Sequence, residues 1–267
     1  MRILEVTTVK NCSVNCYPYC PQLKFREAYG DAGDFLSFED FGMALSHTPK
    51  DVQITFGGFS EPFLNKAAIS MIELAKKEGH RVVLFSTLTG LRREDVVRLK
   101  QIDYFGLHLP DDRGTAKIPV TENYKETLME VFKELKIDAY FRMDECFDSN
   151  ERAGNCDGAP VRHLRGPFYC GALVQPALVM LPSCDLVLCC QDWQLKHRLG
   201  NLLESTYDGI TQGEEFRRIA ANRWRWDGDI LCRSCKFPRS LQKEAVLRIY
   251  QLGRKWIVSP PVQVVER

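Results

Sequence analysis

No charge of one sign dominates this sequence, and no long hydrophobic run occurs in it. Its 36 basic and 35 acidic residues leave a formal net charge of +1, so no global field attracts the chain to nucleic acid or to an anionic membrane. No window approaches the roughly 18 to 20 apolar residues that span a bilayer. The start of the sequence also lacks the apolar stretch and cleavage site of a signal peptide. We therefore expect a cytoplasmic protein with a small-molecule ligand and without a membrane or nucleic-acid partner.

Cysteine, in contrast, is abundant, with eleven among 267 residues. In the reducing cytosol a disulfide framework does not persist, so thiolates gathered around a metal explain the abundance better. The cysteines also form two groups. These are Cys12, Cys16 and Cys20 near the start, and Cys170, Cys184, Cys189, Cys190, Cys232 and Cys235 near the end.

The first two thirds of the sequence alternate between strand-like and helix-like periodicity. Apolar, β-branched stretches predict strands at about 3–9, 52–57, 81–86, 103–109 and 138–143. Amphipathic stretches predict helices at about 37–47, 66–79, 91–101 and 122–136. This alternation is typical of βαβ units. We expect an α/β fold whose parallel sheet is open or curled into a barrel, with ligands at the carboxyl ends of the strands.

The pattern changes in the last third of the sequence. Residues 147–168 predict one long loop, which is either functional or a linker. Residues 173–190 then predict a β-hairpin that turns at PSCD, and residues 211–224 predict a helix. We expect the tail, SPPVQVVER, to be loosely attached. The predicted divisions of the chain are 1–155, 156–245 and a C-terminal helix and tail at 246–267.

The first cysteine group, CSVNCYPYC, lies in a loop directly after the first predicted strand. Three thiolates can hold a metal or an iron–sulfur cluster, and zinc would need a fourth ligand that does not follow nearby. The loop resembles the cluster loop of the radical S-adenosylmethionine (SAM) superfamily, including Tyr19 before the last cysteine. The usual spacing there is C-x3-C-x2-C, whereas this chain has C-x3-C-x3-C. The resemblance implies a 4Fe-4S cluster on Cys12, Cys16 and Cys20, with one iron open to SAM.

A second stretch, TFGGFSEPFLN, follows the second predicted strand. Adjacent glycines at a strand end let backbone carbonyls approach the ammonium group of a ligand closely. The stretch is similar to the GGEP motif of the same family, with two residues inserted. FSTLTG at 85–90 and SNERAGN at 149–155 resemble later family motifs. The resemblance implies cofactor contacts by Tyr19, Gly57, Gly58, Ser60, Glu61, Pro62, Thr87, Ser149 and Arg152.

The C-terminal cysteines resemble the auxiliary-cluster region of radical SAM enzymes with SPASM or shorter twitch domains. CCQDW at 189–193, LGN at 199–201 and LCRSCKFP at 231–238 carry this resemblance. It implies one auxiliary 4Fe-4S cluster, bound by Cys170, Cys189, Cys232 and Cys235. A structural zinc on the same four thiolates is the alternative, because a C-x2-C half also suits zinc. We expect Cys190 to be a small buried residue and Cys184 to be structural.

Together these motifs imply a partial (β/α)6-type TIM barrel followed by a small twitch domain of a β-hairpin and a helix. They also imply an enzyme that uses SAM and two 4Fe-4S clusters to abstract hydrogen from a small polar substrate, a sugar or an aminocyclitol. Oxidation of a secondary alcohol, with the auxiliary cluster as electron acceptor, is the favoured reaction. The resemblance further implies Arg152 as a substrate or cofactor contact, and a reductant such as flavodoxin or ferredoxin.

Other functions stay open at this point. An epimerase would return hydrogen from a thiol, and Cys146 and Cys156 are spare thiols near the mouth of the fifth predicted strand. Some relatives of this family modify peptides. A non-catalytic metal-binding or RNA-binding module is also possible, because RRIAANRWRW at 217–226 interleaves arginine with tryptophan. The neutral net charge argues against RNA binding.

Overall fold

An eight-stranded sheet is the framework of the chain in a computed structural model that describes residues 1–16, 19–142, 151–160 and 162–258. Its strands are β1 (Ile3–Val6), β2 (Gln53–Phe56), β3 (Val82–Ser86), β4 (Tyr104–Leu109), β5 (Ala139–Arg142), β7 (Ala177–Met180), β8 (Asp185–Val187) and β9 (Arg198–Asn201). A separate two-stranded sheet contains β6 (Phe168–Tyr169) and β10 (Arg239–Ser240). All five strands expected in the first two thirds of the chain are therefore present.

Helices connect and cover these strands. They are α1 (Gln22–Tyr29), α2 (Phe38–Ser46), α3 (Ala68–Lys77), α4 (Glu122–Glu134), α5 (Gly171–Val174), α6 (Tyr207–Thr211), α7 (Glu214–Asn222), α8 (Leu231–Ser234) and α9 (Leu241–Val258). Helix α1 was not predicted, and the segment expected to be a helix at 91–101 forms a 3₁₀ helix at Arg93–Leu99. The tail at 259–267 lies outside the described residues. Among the described helices, none combines the length and the apolarity that crossing a bilayer requires.

The strand order is β5-β4-β3-β2-β1-β7-β8-β9, and every pairing from β5 to β7 is parallel. The predicted α/β fold with a parallel sheet is thus confirmed. Five of the six parallel strands come from the N-terminal part of the chain. The sixth, β7, comes from the C-terminal hairpin and pairs with the opposite edge of β1.

The two faces of the parallel strands differ in chemistry. Leu4 and Val6 of β1 are buried in the main hydrophobic core, as are Ile54 and Phe56 of β2. Because side chains alternate along a strand, the residues between them face the other side of the sheet. The intervening residue of β1 is the acidic Glu5. The second face is therefore available for polar functional groups.

The C-terminal hairpin extends the same sheet. Strands β7 and β8 pair antiparallel across the predicted turn. Cys184 in this turn has a left-handed φ of 64° and is fully buried, which agrees with its predicted structural role. The boundary predicted at 155 stays a prediction, because β7 joins the sheet of the N-terminal segment directly.

A buried arginine ties the last part of the chain together. Arg233, 1% exposed, donates to the backbone oxygens of Leu164, Gly166, Asn222 and Arg225 at 2.7 to 2.9 Å. All four acceptors are backbone carbonyls, and each would lose this hydrogen bond if the guanidinium were removed. The guanidinium therefore fixes the long loop before β6 against the end of α7.

Substitution of this side chain should cost stability. Arg233→Met keeps much of the side-chain volume but removes the donors, so we expect the free energy of unfolding to fall by about 2 to 4 kcal/mol. Urea unfolding monitored by circular dichroism measures the change. The control is Arg225→Met, which removes an exposed guanidinium and should change stability by less than about 0.5 kcal/mol. If both variants had the same free energy of unfolding, the stabilising role of Arg233 would be contradicted.

Candidate active site

The three N-terminal thiols line one cavity at the carboxyl end of β1. Cys12, Cys16 and Cys20 all contribute to its wall. The N–H of Cys20 donates to the carbonyl of Cys16 at 2.8 Å, an i to i+4 contact equivalent to one helical turn. Residues four apart in such a turn lie on the same side of the chain. The extra residue of the C-x3-C-x3-C loop therefore still leaves the last two thiols close together.

The electrostatics of these thiols reflect their proximity. A hydrogen bond between Cys16 and Cys20 lowers the pKa of Cys20 and raises the pKa of Cys16. Burial raises the pKa of Cys12 to about 11. The backbone N–H of Glu61 faces the Cys12 sulfur at 3.5 Å. Deprotonation of all three thiols in this environment thus needs a compensating positive charge, as iron provides.

The glycine pair forms the adjacent rim of the cavity. Gly57, Gly58 and Ser60 line it. Gly58 has a φ of 43°, and a Cβ there would lie 2.4 Å from the hydroxyl oxygen of Thr7 and 2.9 Å from its backbone nitrogen. Thr7 in turn accepts a hydrogen bond from the N–H of Phe59 at 3.1 Å. Only glycine fits this close approach between the loop and β1.

Glu61 supports the rim through its carboxylate. Its oxygens accept from the Ser86 hydroxyl at 2.6 Å and from the backbone N–H and hydroxyl of Thr87 at 2.7 Å. These bonds join the glycine loop to the end of β3, where Thr87 also lines the cavity. Pro62 is buried, and its carbonyl accepts from Thr8 at 2.9 Å. The predicted cofactor contacts of Glu61 and Pro62 stay predictions, because these observed bonds are internal.

Arg152 contacts both the N-terminal cysteine loop and the C-terminal segment that line the cavity. Its guanidinium lies 4.1 Å from the ring centre of Tyr19 and 5.5 Å from that of Trp193. It also donates toward the backbone oxygens of Tyr19, at 3.4 Å, and of Cys190, at 3.5 Å. The side chain is 8% exposed and contributes to the cavity wall. Arg152 is thus a buried residue of the cavity wall, and its predicted contact with substrate or cofactor stays a prediction.

The remaining predicted site residues are placed less centrally. Cys156 directs its thiol to the backbone oxygen of Tyr19 at 3.5 Å and is not among the described residues that line the cavity. Cys146 and Ser149 lie outside the described residues. The structure therefore brings Arg152, but not Cys156, to the cavity wall.

The sequence analysis did not identify several residues of the cavity. Glu5, Thr55 and His108 line it from β1, β2 and β4, and Cys190 and Trp193 line it from the C-terminal segment. The expectation that Cys190 is a small buried residue is therefore wrong, since its partly exposed side chain contributes to the wall. A polar residue in the middle of an apolar strand, as in ILEVT, is the signal that identifies Glu5.

The four predicted auxiliary ligands also lie close together. Cys170, Cys232 and Cys235 interact electrostatically with one another, and Cys189 interacts with Cys232. Burial raises the pKa of each thiol, to about 11 for Cys235. Within the described part of the chain no three potential ligands meet at single-ion spacing. The soft four-sulfur donor set would suit a 4Fe-4S cluster as well as zinc.

A buried histidine positions this second group of thiols. His197 accepts from the N–H of Leu231 through Nε2 at 3.0 Å, and its Nδ1 lies 3.1 Å from a carboxylate oxygen of Glu215. Since Nε2 is the acceptor, Nδ1 carries the proton and donates it to Glu215. Asp192 accepts from the N–H of His197 at 2.9 Å. These bonds fix the strand that follows CCQDW to the residue preceding Cys232.

Replacement of Gly58 tests the close approach at the rim. Gly58→Ala should lower the free energy of unfolding by about 2 to 4 kcal/mol, because it combines a strained φ with the contact to Thr7. The control is Gly57→Ala, whose Cβ would lie 3.5 Å from the Cβ of Phe85, an ordinary contact. We expect Gly57→Ala to change stability by less than about 1 kcal/mol in thermal unfolding. If both variants were equally stable, the inferred clash between a Cβ at Gly58 and Thr7 would be incorrect.

Comparisons with known proteins agree with this geometry. Residues 170–236 match the SPASM family, described as an iron-sulfur cluster-binding domain. The backbone is similar to BtrN in complex with AdoMet and 2-DOIA, with a TM-score of 0.65 and 15% identity over 90% of this chain and 94% of BtrN. It is also similar to native anSMEcpe with bound AdoMet, with a TM-score of 0.54 and 11% identity over 97% of this chain and 99% of that one. No curated protein sequence matches the chain significantly.

The SPASM match spans all six cysteines of the second group and the hairpin that joins β1. The structural similarity extends over 90% of this chain for BtrN and 97% for anSMEcpe. The predicted partial-barrel fold is thereby confirmed: the chain shares the fold of BtrN and anSMEcpe, and its residues 170–236 match the SPASM family, as the resemblance implied.

Proposed function

We propose that this chain is a radical SAM oxidoreductase that oxidises a secondary alcohol of a small polar substrate. The carrying observation is that three clustered thiols and a glycine rim line one cavity together with Cys190 and Trp193 of the segment that matches the SPASM family. Such a cavity can receive a cofactor from one side and a substrate from the other. The protein BtrN, in complex with AdoMet and 2-DOIA, supports a small polar substrate.

The residues present fit SAM and a 4Fe-4S cluster. Cys12, Cys16 and Cys20 offer three thiolates, which leaves one iron of a cluster available to a further ligand. Gly57 and Gly58 line the same cavity as these thiols, so their backbone is accessible to a bound cofactor. When bound, SAM and the reduced cluster supply a 5′-deoxyadenosyl radical that abstracts a hydrogen atom from the substrate.

The chain's own residues orient the bound groups and exclude water. Arg152 stacks on Tyr19 and reaches Cys190, so it holds the cysteine loop against the SPASM segment. Trp193 donates to the backbone oxygen of Cys190 at 3.0 Å and packs with its ring 4.5 Å from that of Phe59. These aromatic and cationic contacts cover one side of the cavity with protein.

The second cysteine group supports oxidation as the outcome. Cys170, Cys189, Cys232 and Cys235 supply a full set of four ligands, so a cluster there retains no open iron. Four thiolates that fill every ligand position would hold a cluster suited to electron transfer and closed to the substrate. Loss of one hydrogen atom, one electron and one proton converts a secondary alcohol to a ketone. We also propose that a flavodoxin or ferredoxin is the reductant of this enzyme.

Metal content and SAM cleavage test this assignment. Anaerobically reconstituted protein should bind about eight iron and eight sulfide, and each of Cys12→Ala, Cys16→Ala and Cys20→Ala should bind about four. These variants should form no 5′-deoxyadenosine with dithionite and SAM, because they lose the open cluster. Cys170→Ala should also bind about four iron but should still cleave SAM.

The matched control is Cys184→Ala, which removes a buried thiol from the hairpin turn. It should retain about eight iron and the cleavage of SAM. Zinc in place of iron in the wild-type protein would contradict the proposal, as would SAM cleavage by the Cys12→Ala variant.

Epimerisation is the second candidate, because the Cys190 thiol lines the cavity. Return of a hydrogen atom from this thiol to a substrate radical would invert a carbon centre without net oxidation. In deuterated buffer an epimerase should incorporate one deuterium per product, whereas an alcohol dehydrogenase should form an unlabelled ketone. Mass spectrometry of the product separates these outcomes, and Cys190→Ala should abolish incorporation only if the thiol is the donor.

A further inference from the structure

The loop between α7 and α8 presents two tryptophans to solvent. We call residues 223–226 the tryptophan loop. Trp224 is 58% exposed and Trp226 is 72% exposed, although burial of such large rings would stabilise the protein. Tryptophan is enriched in protein interfaces, where it contributes much of the binding energy. Neither ring is among the described residues that line the cavity. The tryptophan loop is therefore a candidate interaction surface outside that cavity.

Backbone hydrogen bonds hold the tryptophan loop in place. The carbonyl of Arg223 accepts from the N–H of Phe168 at 2.9 Å, and the carbonyl of Trp226 accepts from the N–H of Gly166 at 2.6 Å. Both ends of the loop are thus bonded to the segment that leads into β6. A surface that is already ordered loses little conformational entropy when a partner binds to it.

The tryptophan loop is also bonded to the helix that carries one of the proposed auxiliary ligands. Arg233 lies in α8 between Cys232 and Cys235, and its guanidinium donates to the carbonyl of Arg225 at 2.8 Å. The thiol of Cys235 belongs to a partly exposed residue directly after this helix. A partner docked on the tryptophan loop therefore lies close to a cluster bound by these thiols.

Positive charge accompanies the exposed rings. The guanidinium of Arg223 lies 4.8 Å from the ring centre of Trp224, and Arg225 is exposed. Within the described part of the chain, neither arginine has a carboxylate at ion-pair distance. Arginine beside tryptophan is a combination that often contributes strongly to binding at interfaces.

The carboxylates that follow the tryptophan loop have other partners. Asp227 lies 2.7 Å from His163 and 4.0 Å from Arg165. Asp229 forms an ion pair with Lys196. The charge of the two loop arginines is therefore available to a partner, and it is complementary to an acidic protein surface.

A small redox protein fits this surface better than RNA does. Strong RNA binding needs many phosphate contacts, whereas the chain has a net charge of +1 and the loop has two arginines. Electron-transfer complexes have small interfaces, and electrostatic attraction accelerates their association. Under the proposed function, the second cysteine site receives one electron per turnover. That electron must leave before the next turnover.

We propose that the tryptophan loop docks an acidic one-electron carrier protein, which removes this electron. The inference rests on the proposed function for its redox step. Docking transfers one electron from the second cysteine site to an oxidised flavodoxin, whose flavin also takes up one proton from water. The carrier is thereby reduced by one electron, and the second site can accept an electron from the next substrate.

Binding of oxidised flavodoxin tests the docking step. Its dissociation constant should be measured by calorimetry on the reconstituted protein at low ionic strength. Arg225→Gln should weaken binding about tenfold because it removes charge from the interface, and Trp226→Ala should do so by a similar factor. The matched control is Arg217→Gln, which removes an exposed arginine from α7 and should change the affinity less than about twofold.

Electron transfer is measured separately on Cys12→Ala, which is expected to keep the second cluster alone. This variant is reduced with dithionite, freed of excess reductant and mixed with oxidised flavodoxin in a stopped-flow spectrometer. The flavin absorbance should show one-electron reduction. Addition of Arg225→Gln should lower the second-order rate constant about tenfold, whereas addition of Arg217→Gln should leave it nearly unchanged.

Several outcomes overturn the inference. They are the absence of flavodoxin binding to the wild-type protein, equal affinity of the wild-type and Arg225→Gln proteins, and an electron-transfer rate that Arg225→Gln leaves unchanged. Tighter binding of a single-stranded RNA oligonucleotide, lost in Arg225→Gln, would identify an RNA surface instead. Binding that appears only after deletion of residues 259–267 would show that the tail covers the loop.

The proposed function fails on a different measurement. Binding of flavodoxin requires no SAM, and cleavage of SAM by the wild-type protein with dithionite requires no carrier protein. Failure of the wild-type protein to cleave SAM would reject the radical SAM assignment. Failure of flavodoxin to bind would reject the docking surface alone.

Discussion

Parallel pairing between β1 and β7 is the constraint on which the rest of the site depends. Four consecutive residues of β1 pair with four of β7, and the N–H of Thr7 continues the ladder to the carbonyl of Met180 at 2.9 Å. The cysteine loop follows β1, and the segment with Cys189, Cys190 and Trp193 follows the hairpin that starts with β7. One strand pairing thus brings Cys190 and Trp193 to the cavity that Cys12, Cys16 and Cys20 line. Without it, the cavity would have only one wall.

Charged side chains inside the protein are stabilised in different ways. This difference distinguishes residues that stabilise the fold from a residue that can bind a ligand. Glu61 accepts hydrogen bonds from Ser86 and Thr87, and Arg233 donates to four backbone carbonyls. Both groups are satisfied by the chain itself, so they stabilise loops. Glu5 differs from both, because it lines the cavity beside the Cys190 thiol and near the charge of Arg152. An ionisable group that a ligand can reach is a better candidate for binding than one whose hydrogen bonds are made within the chain.

Much of the fold was predictable from local pattern, because apolar periodicity determines which face of a strand or helix is buried. The five N-terminal strands, the hairpin turn at Cys184 and the order of the motifs follow from such patterns. The pairing of β7 with β1 was not predictable, since strand order depends on contacts distant in sequence. Helix α1 begins directly after Cys20 with a largely polar segment, so its periodicity gave little signal. Glu5 was detectable in principle, because an acidic residue inside an apolar strand is costly unless it has a role.

The unusual spacing of the cysteine loop has a physical explanation in the backbone bond between Cys20 and Cys16. A C-x2-C spacing places two thiols three residues apart, whereas the observed i to i+4 bond defines a full turn of four. Both separations return the side chains to one face of a turn, because three and four residues bracket the helical repeat of 3.6. The additional residue thus lengthens the loop by one position, and the thiols of Cys16 and Cys20 still lie on the same face of the turn. The direct hydrogen bond between Cys16 and Cys20 is the consequence. The turn from Cys16 to Cys20 therefore keeps both thiols at the wall of one cavity, as the proposed binding of one cluster by three cysteines requires.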